Sequence, residues 1–243
     1  MSSSIAKASK SAKPADDSSP LQPIRVNSAP IAQAVRFASP GLLVTMFTAA
    51  FSSLVADPVS AMSKYLPVIG ALQVLYAFIC LPVAGVQSVK VKKHRPGEKK
   101  KASSDAAGPN IIVASLLSFI LTTLATPLLY IAMILFGAPV LTHTPHTLLC
   151  AAHLAILTLF PLFYVHGVDS SAWLAVAGLK APIDETLGGL VGGFLGAWLG
   201  AVPIPLDWDR EWQKWPVTIL CGIYGGYIVG RIIGGTLAFG KKF

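Results

Sequence analysis

The chain has 243 residues, of which 53% are hydrophobic and only 12% charged, with a mean hydropathy of +0.64 and a net charge of +8. A soluble globular domain carries roughly 25% charged residues, so this composition excludes one and indicates a membrane protein. The lysines and arginines gather in segments that flank apolar runs, with no nucleic-acid motif among them, which sets nucleic acid aside as a partner and makes these residues topology signals.

Residues 1–38 are rich in Ser, Ala, Lys and Pro and hold too little apolar surface to offset the entropy of ordering. They are expected to form a disordered tail. The opening MSSSIAKASKSAKPADD lacks the apolar stretch of about 7 to 15 residues that a secretory signal requires, so the first membrane helix is expected to act as its own uncleaved signal.

A membrane span needs about 20 mostly apolar residues, because nothing in the hydrocarbon core satisfies an open backbone. The stretch 41–56 is short and is stopped by Asp57 and Pro58; the next runs over 66–89. After it comes the basic loop of residues 90–109, where KVKKHRPGEKKK holds Lys90, Lys92, Lys93, Arg95, Lys99, Lys100 and Lys101. The third stretch, 110–137, is long enough to tilt, and the connection behind it contains LTHTPHTL. His143 and His146 there lack a third metal ligand at a suitable spacing. The fourth stretch, 148–165, carries His153 and ends at His166, histidines expected to bond across helices. In HGVDSSAW, Asp169 is expected to cap a short turn, and Asp184 and Glu185 stand where an N-cap and a first-turn acid precede a fifth helix.

That fifth stretch, 187–202, repeats Gly188, Gly192, Gly196 and Gly200 at every fourth residue, and the sixth, 216–239, repeats Gly222, Gly226, Gly230 and Gly234. In lipid, small residues at this spacing mark a face pressed against another helix. Two docking arrangements are open: the stripes pack on each other, or one of them receives a helix of a different protein. Between them lies PIPLDWDREWQKWP. Pro203 and Pro205 end the fifth helix, Trp208, Trp212 and Trp215 suit a membrane interface, and Asp207, Asp209 and Arg210 form a charged turn. An acid pair beside an arginine could serve phosphoryl chemistry, but no local histidine, cysteine or nucleophile accompanies them; capping of the next helix and mutual pairing is the favoured reading. Arg231 sits inside the sixth stretch, where a charge costs about 2.5–3.5 kcal/mol at the bilayer centre. It is expected either to snorkel to the surface or to pair with a buried acid or a lipid phosphate. Cys80, Cys150 and Cys221 lie apart in apolar runs and are expected to be buried thiols.

The expected fold is therefore an all-α polytopic membrane protein with six transmembrane helices in a domain over residues 39–240. Lys and Arg in short loops favour the cytosol, which places the basic loop, both termini and Lys241 and Lys242 there and the turn after the fifth helix in the lumen. The final lysines lie one residue too close to the end for a dilysine retrieval signal.

The segments HGVDSSAW, GAWLGAVPIPLDWDREWQKWP and GGYIVG together resemble the PIG-F family of glycosylphosphatidylinositol (GPI) anchor biosynthesis proteins, in its fungal version, with Glu211 standing where the family pattern has proline. The resemblance implies a multi-pass protein of the endoplasmic reticulum membrane. It implies a non-catalytic stabilising partner of the large membrane-bound GPI ethanolamine-phosphate transferases, which move phosphoethanolamine to mannoses of the GPI precursor. Membrane lipids would be its other partners, with no cofactor and no metal. On that implication the glycine stripes and the turn hold the transferase. The lumenal connections are too short for a catalytic domain. The alternatives are a small membrane phosphotransferase centred on Asp207, Asp209 and Arg210, and, ranked last because no inverted repeat is visible, a lipid transporter.

Overall fold

The computed structural model describes residues 21–84, 110–206 and 208–242. The basic loop, most of the N-terminal tail and Asp207 lie outside the described residues. Seven α-helices and two short 3-10 turns make up the regular structure among these residues: α1 Pro30–Ala56, α2 Pro58–Cys80, α3 Ile111–Leu135, α4 Thr144–His166, α5 Ser170–Ala177, α6 Glu185–Ala201 and α7 Val217–Gly235, with the turns Ile204–Leu206 and Glu211–Gln213 between α6 and α7. All but α5 are long and apolar enough to cross a membrane.

The helix boundaries follow local chemistry. Pro30 opens α1 at a position where its missing N–H is no loss, so this helix begins well before the expected span and continues through Pro40. Asp57 ends α1 and caps α2: its carboxylate accepts the Ser60 amide at 3.2 Å and the Ser60 hydroxyl at 2.6 Å, and Pro58 supplies the first turn. The second helix thus spans residues 58–80 rather than 66–89, and it stops where Leu81 precedes Pro82, a position that disfavours helical backbone. Asn110 caps α3, Asp169 caps α5 and Asp184 caps α6.

The expected disordered tail is corrected over its described part. Residues 21–29 run extended along one end of the bundle, with Ile24 buried in the core, the Ile24 amide bonded to the Asp184 carboxylate at 3.0 Å and the Asn27 amide bonded to the Cys80 carbonyl at 2.9 Å. Few apolar residues were needed, because the strap satisfies its backbone on helix ends instead of burying a face.

The central helix is α4, the most deeply buried of the six, which packs against α2, α3, α6 and α7; α1 packs on α2 and α7, and α3 lies at the periphery against α4. Ser115, Ser118 and Thr122 line the buried side of α3, each hydroxyl bonded to its own helix one turn back, and the outward side is mostly large apolar residues, with Thr123 bonded in the same way to the Phe119 carbonyl. The strap, residues 81–84, the α4–α6 connection and the C-terminal residues gather at one end of the bundle, tied by Ala84 to Tyr164 and by Ile183 to Gly240 and Lys241. Asp57 and the α6–α7 turn lie at the other.

Candidate functional site

Helices α6 and α7 pack on each other more closely than any other pair, and glycine is the cause. A β-carbon added at Gly188 would lie 2.9 Å from the Gly234 α-carbon; one at Gly192, 2.7 Å from that of Gly230; one at Gly196, 2.9 Å from that of Gly226. Each would also strike a facing carbonyl oxygen, of Gly230, Gly226 and Gly222 in turn, and Gly200 meets Thr218 and Ile219 in the same way. The two stripes are therefore consumed within the chain. Of the two arrangements left open by the four-residue spacing, intramolecular packing holds for both.

A different surface remains free. Along the outer side of the α6–α7 seam runs an apolar groove of about 660 Å³, rimmed by Val191, Leu195 and Leu199 of α6 and by Val229 and Ile233 of α7. Its floor is the edge of the glycine seam together with Gly225. Unlike the stripe glycines, Gly225 has nothing within 4 Å of an added β-carbon, so no contact among the described residues requires a glycine there. A helix interior loses roughly 0.8–1 kcal/mol by carrying Gly in place of Ala. Sequence spacing concealed Gly225, because it stands one residue off the stripe.

The groove leads into the α6–α7 turn. Helix α6 ends at Ala201, just before Pro203, and a 3-10 turn follows. Trp208 is half exposed and packs edge-on against Trp212 with ring centroids 5.6 Å apart, while the indole N–H of Trp215 donates to the Thr147 hydroxyl at 3.0 Å and so ties the turn to α4. The organising side chain is Gln213, which donates to the Pro203 carbonyl at 2.8 Å and accepts from the Arg210 amide at 3.1 Å. Asp207 lies outside the described residues; over the rest of the turn the expected capping and mutual pairing of charges differ from the structure in two respects. Helix α7 has Pro216 at its N-cap position and no side-chain cap, and the ion pair formed is Glu211 with Lys214; Asp209 and Arg210 are exposed without an ion pair among the described residues. Adjacent residues in a bent backbone point apart, and Asp209 sits at a φ of 49°, a left-handed conformation that aspartate tolerates.

Arg231 takes the buried alternative. It is 3% exposed, its Nε lies 3.4 Å from Glu185 Oε2, and its guanidinium stacks 3.7 Å over the Tyr76 ring. Glu185 also accepts the Tyr76 hydroxyl at 2.8 Å and is ion-paired with Arg36, a residue that composition had assigned to the tail. The N-terminal proline of α1 is the signal that could have brought Arg36 into the domain. Glu185 is thus more than a first-turn acid. Asp184 does cap α6, accepting the amides of Thr186 and Leu187 at 2.9 and 3.0 Å.

His153 bridges three helices, with Nδ1 2.9 Å from the Tyr224 hydroxyl and Nε2 3.1 Å from the Met62 carbonyl. Asp169 accepts the amide and hydroxyl of Ser171, and the hydroxyl bond above all holds its carboxyl below the usual value. His143 and His146 stack edge-on at 4.9 Å, and among the described residues no three His, Cys, Asp or Glu side chains converge as metal ligands would. Cys80 and Cys150 are buried and Cys221 partly so, none of them in a disulfide.

The profile of a family described as GPI biosynthesis protein family Pig-F matches residues 38–235. The chain is 58% identical to the "Glycosylphosphatidylinositol anchor biosynthesis protein 11" of Neurospora crassa, over 92% of this chain and 82% of that one. It is 55% identical to the protein of the same name in Pyricularia oryzae, over 82% of this chain and 74% of the relative. A mouse protein named "GPI ethanolamine phosphate transferase, stabilizing subunit" is 29% identical over 67% of this chain and 76% of its own length. No solved structure matches.

Proposed function

The chain belongs to the GPI biosynthesis protein family Pig-F, and from that premise we propose that it is a non-catalytic subunit of a GPI ethanolamine-phosphate transferase in the endoplasmic reticulum membrane, with both termini in the cytosol. The observation that carries this reading is the match to a mouse protein named as the stabilising subunit of such an enzyme. The construction of the molecule supports it, since the described residues form spans joined by connections too short to fold a catalytic domain.

The transferase is held in the plane of the membrane, along the groove beside the α6–α7 seam. The glycines of the seam serve indirectly, by bringing two helices close enough that their flanking leucines and valines form one trough. The turn carrying Trp208, Asp209 and Arg210 extends the same surface to the lumenal boundary. Membrane helices associate through close packing, and a trough with a bare floor offers a ridge of side chains more contact than the convex, leucine-rich face of α3.

The test is purification of the tagged protein in mild detergent, identification of what accompanies it, and assay of phosphoethanolamine transfer before and after the partners are stripped. A co-purifying transferase whose removal takes the activity with it is the expected result. Activity that stays with the stripped chain would overturn the accessory role and make Asp207, Asp209 and Arg210 catalytic candidates.

A further inference from the structure

The seam between α6 and α7 poses a mechanical problem. Glycine against glycine permits close approach but offers no side chains to fix register, so two such helices can slide or splay unless something else holds them. In hydrocarbon the strong directional contacts are those between polar groups that have no alternative partner nearby. At the strap end of the seam these converge on three consecutive residues. Ile183 exchanges two backbone bonds with the C-terminal segment, donating to the Lys241 carbonyl and accepting from the Gly240 amide, each at 2.8 Å. Asp184 caps α6 with one carboxylate oxygen and takes the Ile24 amide of the strap on the other. Glu185 holds Arg36 of α1, Tyr76 of α2 and Arg231 of α7.

The arginines close the circuit. Arg36 donates to the Gly235 carbonyl at 3.0 Å, and Arg231 donates to the Arg36 carbonyl at 3.3 Å. Arg231 stands between Gly230 and Gly234, so the guanidinium that Glu185 grips belongs to the very turn of α7 that forms the seam. Both arginines are ion-paired with the one carboxylate of Glu185, so its loss would strand two charges, while Asp184 beside it serves the α6 N-terminus and the strap. At the opposite end Gln213 ties the turn to the Pro203 carbonyl just after α6, and Trp215 ties it to α4.

We propose that this cluster is a conformational clasp: seating of the N-terminal strap, residues 21–29, sets the spacing of α6 and α7 at the groove, so the groove takes its binding shape only in a chain whose strap is docked. The geometry of the clasp is independent of what the groove holds; its consequence for a partner rests on the reading under Proposed function.

The test uses the full chain in lipid nanodiscs without any partner, with the partly buried Cys221 replaced by serine and spin-label pairs introduced at Val191 and Ile233, near the clasp, or at Leu199 and Gly225, near the turn. Pulsed electron resonance then compares the parent with Ile24→Ser, which removes a buried apolar side chain of the strap outside the groove lining and leaves every ionisable side chain in place, and with Glu185→Gln. The expected result is that both substitutions lengthen or broaden the Val191–Ile233 distance by about 1–2 Å, the scale of helix shifts at packed interfaces, and leave the Leu199–Gly225 distance unchanged. An unaltered Val191–Ile233 distance in Ile24→Ser overturns the coupling to the strap, whatever Glu185→Gln does. Should Glu185→Gln not fold, Ile24→Ser still decides. Recovery of the transferase by the same variants separates the two ideas, because shifted distances with undiminished recovery would sink the groove as partner site while the clasp stands.

Discussion

Two leucine substitutions on neighbouring helices should have opposite consequences. In Gly196→Leu the new β-carbon lies 2.9 Å from the Gly226 α-carbon, and bringing that one contact to the 3.4 Å where ordinary van der Waals contact begins requires about 0.5 Å (3.4 − 2.9) of separation. The Gly222 carbonyl, nearer still, demands more, and neither atom can swing aside as a side chain would. A gap of about 0.5–1 Å forfeits a quarter to a half of each contact's dispersion well, and overpacking of this kind costs about 1–3 kcal/mol. At the upper end, the thermal midpoint of a chain this size falls by about 6–12 °C. Gly225→Leu meets nothing within 4 Å and replaces the poorer helix former by the better one, so its midpoint should equal or exceed the parent's. It fills the groove, however, and recovery of the transferase should drop about tenfold or more, corresponding to at least 1.4 kcal/mol of lost binding. Size-exclusion-detected melting in mild detergent reads the first effect and quantitative co-purification the second. A parent-like midpoint for Gly196→Leu would refute the tight seam, and undiminished recovery with Gly225→Leu would refute the groove. Gly196→Leu alone cannot test partner binding, since it disturbs the fold on the way.

His153→Phe strands the Tyr224 hydroxyl in the core and removes the side-chain bond to the Met62 carbonyl, a loss of about 1–3 kcal/mol; the double variant with Tyr224→Phe should melt closer to the parent than the summed single effects, and simple additivity would show that the two side chains do not act together. For Asp169 the folded carboxyl is held low, chiefly by the Ser171 hydroxyl, so its contribution is complete above the ordinary aspartate value of about 3.9 and fades as pH falls through the lower folded value. Protection factors across residues 170–177, taken against the intrinsic exchange rate at each pH, should accordingly fall on acidification below about pH 4 and, at neutral pH, in Asp169→Ala; equal protection in the variant would remove Asp169 as the cap. Tags on the two termini should both be cut by protease outside sealed microsomes while a tag in the α6–α7 turn is protected, and opposite behaviour of the two termini would contradict their shared end of the bundle.

The spans and the glycine period were legible because both are local: apolar length decides the first, and four-residue spacing on one helix decides the second. Helix starts were less so. Apolar content placed the first two helices at residues 41 and 66, whereas Pro30 and the Asp57–Pro58 pair start them at 30 and 58, since a proline in the first turn and a capping carboxylate admit polar residues that a hydropathy window rejects. The mate of each stripe lay beyond a single sequence, because a bare face looks the same whether its neighbour belongs to the chain or to a partner. Gly225 became visible only by subtraction, once the glycines explained by a facing backbone were known.

Arg231 separates what the cost of charge dictates from what packing decides. A guanidinium in a span must have a partner or an escape, and that much followed from the cost of charge in hydrocarbon. Which partner it has depends on Glu185, 46 residues earlier in the chain, and on Arg36, 195 residues away, separations that only the packed bundle brings together. Removing Glu185 would take the carboxylate partner from both arginines, whereas removing Arg231 leaves Glu185 still paired with Arg36. Breaking a buried pair is damaging in proportion to the charge left uncompensated. Glu185→Ala should therefore depress folded yield more than Arg231→Met does, and the reverse order would mean that the cluster is centred on the arginine instead of the carboxylate.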